Sequence, residues 1–104
     1  MLSLTEKIEK WVYQLCERLQ DDYDNNTIAN RYKFRMELGR KYWKINVENG
    51  GVHAFIDRNT GQVYKPASYK SPAKHVRYDL RIIKDREYLF DNADWAGSYL
   101  YLRG

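Results

Sequence analysis

Between positions 65 and 81 the bases Lys65, Lys70, Lys74, Arg77 and Arg81 are interleaved with Tyr69, His75 and Tyr78. Cations at this density neutralise phosphates and release counterions, and rings set between them offer platforms on which unpaired bases stack. A second basic block carries Arg31, Lys33, Arg35 and Lys44. Were the two blocks to share a side of the fold, they would form one track for a polyanion, with sheet faces and loops as the platform. The same residues have a plainer reading, in which Tyr64, Tyr69 and Tyr78 pack on a sheet while the lysines stay in solvent.

Other chemistries find less to work with. A nucleophilic site needs a thiol or hydroxyl beside a histidine held by a third group. Cys16 lies beside an apolar helical stripe, His53 alternates within a strand and His75 sits in the basic segment, so nothing in the spacing brings such a set together. One cysteine and two histidines match no zinc spacing. Asp21, Asp22 and Asp24 lack the glycine turn and terminal glutamate of a calcium loop. Asn49-Gly50-Gly51 reads as a hairpin turn and not a phosphate loop. No catalytic group, metal or cofactor is expected.

These residues must be positioned by an α+β scaffold. Leu4, Ile8, Trp11, Val12, Leu15 and Leu19 recur at helical spacing, and Ser3 with Glu6 forms a capping box at the start of that helix. The polar run from Asp21 to Asn26 is expected to end it. Strict alternation from Arg31 to Leu38 predicts a strand with Tyr32, Phe34 and Met36 on one side and Arg31, Lys33 and Arg35 on the other. After a turn at Gly39 and Arg40, Trp43, Ile45 and Val47 alternate with Tyr42, Lys44 and Asn46 in a second strand. Val52 to Ile56 makes a third, and a loop with Gly61 in the left-handed conformation leads into a fourth from Gln62 to Tyr64. Four successive strands with short turns make an antiparallel meander, covered on one face by the helix. Beyond Pro66, Ser71-Pro72 reads as the cap and first turn of a short helix over 72–77, whose free amides would offer an anion site. A further short helix is expected from near Asp85 to Phe90, a turn at Asp94–Gly97, and a closing strand at 98–102.

With 104 residues, 43% of them apolar and 15% aromatic, the chain suits one soluble domain of modest core. A lone cysteine, charges at Glu6, Lys7, Glu9 and Lys10, and no long apolar run point to a reducing cytoplasm without membrane insertion. The net charge of +4 is unevenly spread. Residues 1–30 carry −3 and residues 31–48 carry +4; residues 65–81 carry another +4 and residues 82–104 carry −1. That polarity favours a polyanionic partner for one face.

The segments His53-Ala54-Phe55-Ile56-Asp57, Thr60 to Ser68, Pro72-Ala73-Lys74, Arg77-Tyr78-Asp79-Leu80-Arg81 and Asp94 to Tyr101 resemble a family of small proteins of tailed bacteriophages, cyanophages among them, for which no function is established. The resemblance covers roughly residues 42–101. It implies a phage protein acting inside the infected bacterial cell and assigns no role to individual residues. The expectation is therefore a phage-encoded nucleic-acid-binding protein with little sequence preference. The alternatives are an adaptor or inhibitor docking on a host or phage protein, since Tyr, Trp and Arg anchor interfaces, or a minor virion component that oligomerises through a sheet edge.

Overall fold

In a computed structural model the chain is described over residues 1–28, 32–48 and 51–101. The first helix, α1 (Leu4–Asn26), starts at the capping box: Ser3 Oγ accepts from the Glu6 amide at 3.2 Å and Glu6 Oε1 accepts from the Ser3 amide at 2.9 Å. Those bonds hold the Glu6 carboxyl below its ordinary pKa. Contrary to expectation, α1 continues seven residues past Leu19. Tyr23, four positions on, is buried and so extends the apolar stripe, while the polar run satisfies itself along the helix. Gln20 Nε2 donates to Asp24 Oδ1, and Asn26 Nδ2 donates to the Asp22 carbonyl.

Five strands follow: β1 (Phe34–Leu38), β2 (Tyr42–Val47), β3 (Gly51–Asp57), β4 (Gln62–Pro66) and β5 (Pro72–Asp79), paired in chain order and antiparallel throughout. The expected strand at 31–38 thus begins at Phe34, and Arg31, Asn49 and Gly50 lie outside the described residues. Gly61 has φ +77°, and a Cβ there would stand 3.3 Å from Leu80 Cβ and 3.4 Å from Ile8 Cγ1. Both the backbone conformation and the close approach of α1 therefore require glycine.

The helix expected over 72–77 is instead β5. Proline is tolerated at the start of an edge strand because no ladder bond is lost there, and Pro72 stands opposite Pro66. Ser71 caps nothing: its hydroxyl meets Ser68 Oγ at 3.1 Å, and Ser68 Oγ also accepts from the Lys70 and Ser71 amides to tighten the turn. The anion site proposed for helical amides at Pro72 has no basis in a strand. The second helix, α2 (Ile83–Asn92), is where the sequence placed it. The closing strand is a 3-10 turn, Ser98–Tyr101. Asp94 accepts there from Ser98 Oγ and from the Tyr99 amide, and the turn carries Tyr99 and Leu100 into the core together. Leu102 lies outside the described residues.

Both helices and the 3-10 turn share one face of the sheet, where Ile8, Leu15 and Leu19 of α1 join Ile45, Ile56, Val63, Tyr78, Leu89 and Leu100 in a single core. The Arg18 Nε–H donates to the Phe90 carbonyl at 3.1 Å and the Arg86 guanidinium lies 4.4 Å from the Trp11 ring centre, tying α1 to α2.

Candidate nucleic-acid interface

Among the described residues, no helix lies over the opposite face. On it Lys44 of β2 stands across from Phe55 of β3, while their neighbours Trp43 and Ile56 pair on the covered side. Phe55 is nevertheless only 1% exposed. Its cover consists of side chains: Tyr42 lies edge-on at 5.7 Å, Tyr64 follows edge-on to Tyr42 at 6.0 Å, and Lys44 Nζ is 5.7 Å above the Phe55 ring. Lys44 Nζ also lies 5.0 Å over the Tyr69 ring and donates to the Tyr69 carbonyl at 3.3 Å. The β4–β5 loop is thereby folded back onto the sheet, leaving the Tyr69 ring 62% exposed with Lys70 exposed beside it.

Of the sequence-derived candidates, the fold brings together Lys44, Tyr69 and Lys70. Lys33 and Arg35 lie at the β1 edge, where Arg35 meets Glu48 at 3.5 Å in an exposed pair that contributes little. Lys74 and His75 are exposed on β5, the other edge. Four strand spacings separate those edges, about 19 Å, so the two basic blocks meet where Lys44 reaches the β4–β5 loop and not along their outer strands. Lys65 belongs to the covered side, with Nζ 4.7 Å from the Tyr101 ring centre. Three further residues are already committed elsewhere. Tyr78 is fully buried and its hydroxyl donates to the Tyr99 carbonyl at 2.8 Å, so it cannot stack on a base. Arg77 Nε donates to the Leu100 carbonyl and Nη1 to the His75 carbonyl, both at 2.7 Å. Arg81 grips both carboxylate oxygens of Asp79, at 3.1 and 2.8 Å, which holds the Asp79 carboxyl below its ordinary pKa.

Register shifts explain why two polar residues turn inward. Along β2–β3 the pairing passes from Ile45↔Ala54 to Asn46↔Val52, leaving His53 as the extra residue; along β4–β5 it passes from Val63↔Tyr78 to Tyr64↔Val76, leaving Arg77. Such bulges re-aim a side chain while bending the strand locally. Both extra residues bond to the 3-10 turn, Arg77 as above and His53 through Nε2 to the Tyr99 hydroxyl at 2.8 Å. Burial pulls the His53 pKa down to about 4, against a smaller opposing pull from Asp94, so the ring is neutral at pH 7. Burial also raises the Tyr99 hydroxyl well above its ordinary value.

Reading the sequence missed Tyr42, which covers Phe55 beside Lys44, and Lys41, whose Nζ lies 5.4 Å from the Tyr42 ring centre, although the alternation already set Tyr42 and Lys44 on one side. It missed altogether a cavity of about 320 Å³, lined by His53, Lys65, Trp95 and Tyr101 together with Tyr32, Val47, Val52 and Pro66. No local pattern joins those positions. A shallower hollow of about 240 Å³ shares Val52 and Pro66 with it and reaches Tyr69. Cys16 is a core residue whose thiol is pushed up to about 11, chiefly by burial and then by Glu17. Among the described residues, no three His, Cys, Asp or Glu side chains gather where a metal could sit, and no helix is long and apolar enough to cross a membrane.

Charge follows the layers. Helix α1 carries six acids against three bases, whereas residues 33–81, which include the whole sheet, carry eleven bases against four acids. The molecule is thus an α+β protein with an acidic helix on one side of a basic, tyrosine-bearing meander. A family model described as a family of unknown function (DUF7717) matches residues 2–102, and the chain belongs to that family. No curated protein and no solved structure matches it.

Proposed function

We propose that this protein binds nucleic acid with little sequence preference through the open face of its sheet. The observation that carries the reading is the exposed Tyr69 ring, fixed by Lys44 and flanked by Lys70, on the face turned away from acidic α1. Lys44, Lys41 and Lys70 would meet phosphates and Tyr69 would stack on a base. Lys33 and Arg35 at one edge, and Lys74 and His75 at the other, would extend the footprint for a longer strand. The resemblance over residues 42–101 supports a phage-encoded protein working in the cytoplasm of the infected bacterium. Fluorescence anisotropy with labelled single- and double-stranded DNA at two salt concentrations tests the binding. Affinity should fall steeply as salt rises, and no binding at low salt removes the reading.

A protein partner is the second reading, and a different surface favours it. Leu2, Tyr13 and Met36, rimmed by Glu6, Glu9 and Lys10, line a broad hollow of about 490 Å³ between the start of α1 and β1, and Leu4 and Leu38 are also exposed. An adaptor, an inhibitor or a virion component would use such an apolar patch. Under that reading, one stoichiometric protein survives nuclease treatment in a pull-down from host lysate, or light scattering finds an oligomer. Tyr13→Ser then abolishes the association while leaving DNA binding intact.

A further inference from the structure

We propose that the cavity beside His53 holds the base of a nucleotide, with Lys65 placed for its phosphate. Its volume of about 320 Å³ sits at the lower end of the roughly 300–1,000 Å³ found for small-molecule sites, which suits one ring system and not a folded partner. Its walls are flat. Tyr32 and Trp95 lie 6.0 Å apart and both rest on the buried Tyr23 ring, so that side is braced from behind; Tyr101 stands under the Lys65 ammonium. Aromatic surfaces held in place at low conformational cost are what stack on heterocycles.

The polar groups suit the same ligand. Lys65 is the one charged side chain lining the cavity among the described residues, so the site favours an anion. His53 is neutral and its Nε2 is engaged by Tyr99, while Nδ1 has no hydrogen bond among the described residues. A neutral imidazole nitrogen donates or accepts according to tautomer, and base edges carry both donors and acceptors. Gly97 keeps the space beside that ring open: a Cβ there would stand 3.5 Å from His53 Cε1. The hollow across Val52 and Pro66 then leads to Tyr69, giving a sugar-phosphate chain a route from the cavity to the open face.

This deepens the nucleic-acid reading, and the test keeps the two separable. The full chain is titrated with AMP, CMP, UMP, ribose 5-phosphate and an oligothymidylate, following the Trp95 indole N–H by NMR. Ala96→Trp plugs the cavity from an exposed rim position that folding should tolerate, and Lys65→Ala removes the phosphate contact. Nucleotides should shift the Trp95 signal and ribose 5-phosphate should not. Ala96→Trp should weaken nucleotide binding about tenfold or more, the order lost with one base–aromatic stacking contact. The same variant should leave duplex binding by the open face unchanged. Saturation by mononucleotides as tight as by the oligomer identifies a free nucleotide as the ligand; much tighter binding of the oligomer identifies an unpaired base of a strand. No shift with any base-containing probe, equal shifts with ribose 5-phosphate, or unchanged affinity in Ala96→Trp overturns the proposal. Nucleotide binding without duplex binding would keep the cavity and discard the open face.

Discussion

Tyrosine does opposite work on the two faces of the sheet. On the covered face Tyr78 and Tyr99 are sealed in, and each hydroxyl has a named partner: the Tyr99 carbonyl for Tyr78, His53 Nε2 for Tyr99. On the open face Tyr42, Tyr64 and Tyr69 lie partly in water among lysines, Tyr42 edge-on to Phe55, Tyr64 edge-on to Tyr42 and Tyr69 under Lys44. Buried tyrosine is a stability element because its hydroxyl must be satisfied. Exposed tyrosine beside a cation is a contact element because its ring remains available. Two tyrosines nine positions apart in the same basic segment, Tyr69 and Tyr78, fall on opposite sides of that divide.

The sharpest way to break this contrast is to truncate both rings. Tyr78→Ala should cost roughly 3–5 kcal/mol in urea unfolding, while Tyr69→Ala should stay within about 0.5 kcal/mol and reduce DNA affinity instead. Comparable destabilisation by the two would erase the distinction.

Acid should reach the covered face through His53. Its folded pKa of about 4 lies below the ordinary 6.5, so between those values the unfolded chain binds the proton and the native state does not. The associated stability is present above pH 6.5 and is lost as pH falls towards 4, an amount on the order of 3 kcal/mol. Carboxylates also titrate near the lower end of that window, so the measurement is a difference: His53→Gln should flatten the stability profile between pH 6.5 and 4.5 relative to the parent protein. Parallel profiles would mean that His53 is not held neutral by burial.

Tyr78→Phe asks for less, about 1–3 kcal/mol, because it keeps the packing and leaves the Tyr99 carbonyl without its donor. The smallest effects belong to the surface cations. Lys70→Ala should lower the slope of log affinity against log salt by about 0.7–0.9. Arg81→Ala should leave that slope unchanged, since its guanidinium is already bound to Asp79. A loss of slope with Arg81→Ala would show that the ion pair opens to meet phosphate.

Much of the architecture was legible because it follows from local rules. The capping box at Ser3 and Glu6, the alternation through β1 and β2, the left-handed Gly61 and the short α2 each depend on neighbours within a few positions. The failures share one cause. The polar run at 21–26 reads as a helix end because the burial of Tyr23 depends on Tyr32, across a loop, and on Trp95, far along the chain. Ser71-Pro72 carried a helix signal that the pairing of β5 with β4 overrode. The segment at 98–102 reads as an alternating strand, but Asp94 and two inward-turned strand residues draw Ser98–Tyr101 into a 3-10 turn.

The chain by itself determined an α+β meander, an acidic first helix and a basic remainder, because periodicity and charge are properties of sequence. Only the tertiary structure decided which cations are free and which rings are reachable. One extra residue in a strand pair rotates a side chain from one face to the other, and that register is set by partners distant in the chain. His53 and Arg77 turned inward for that reason, and a cavity exists where residues from 32 to 101 meet.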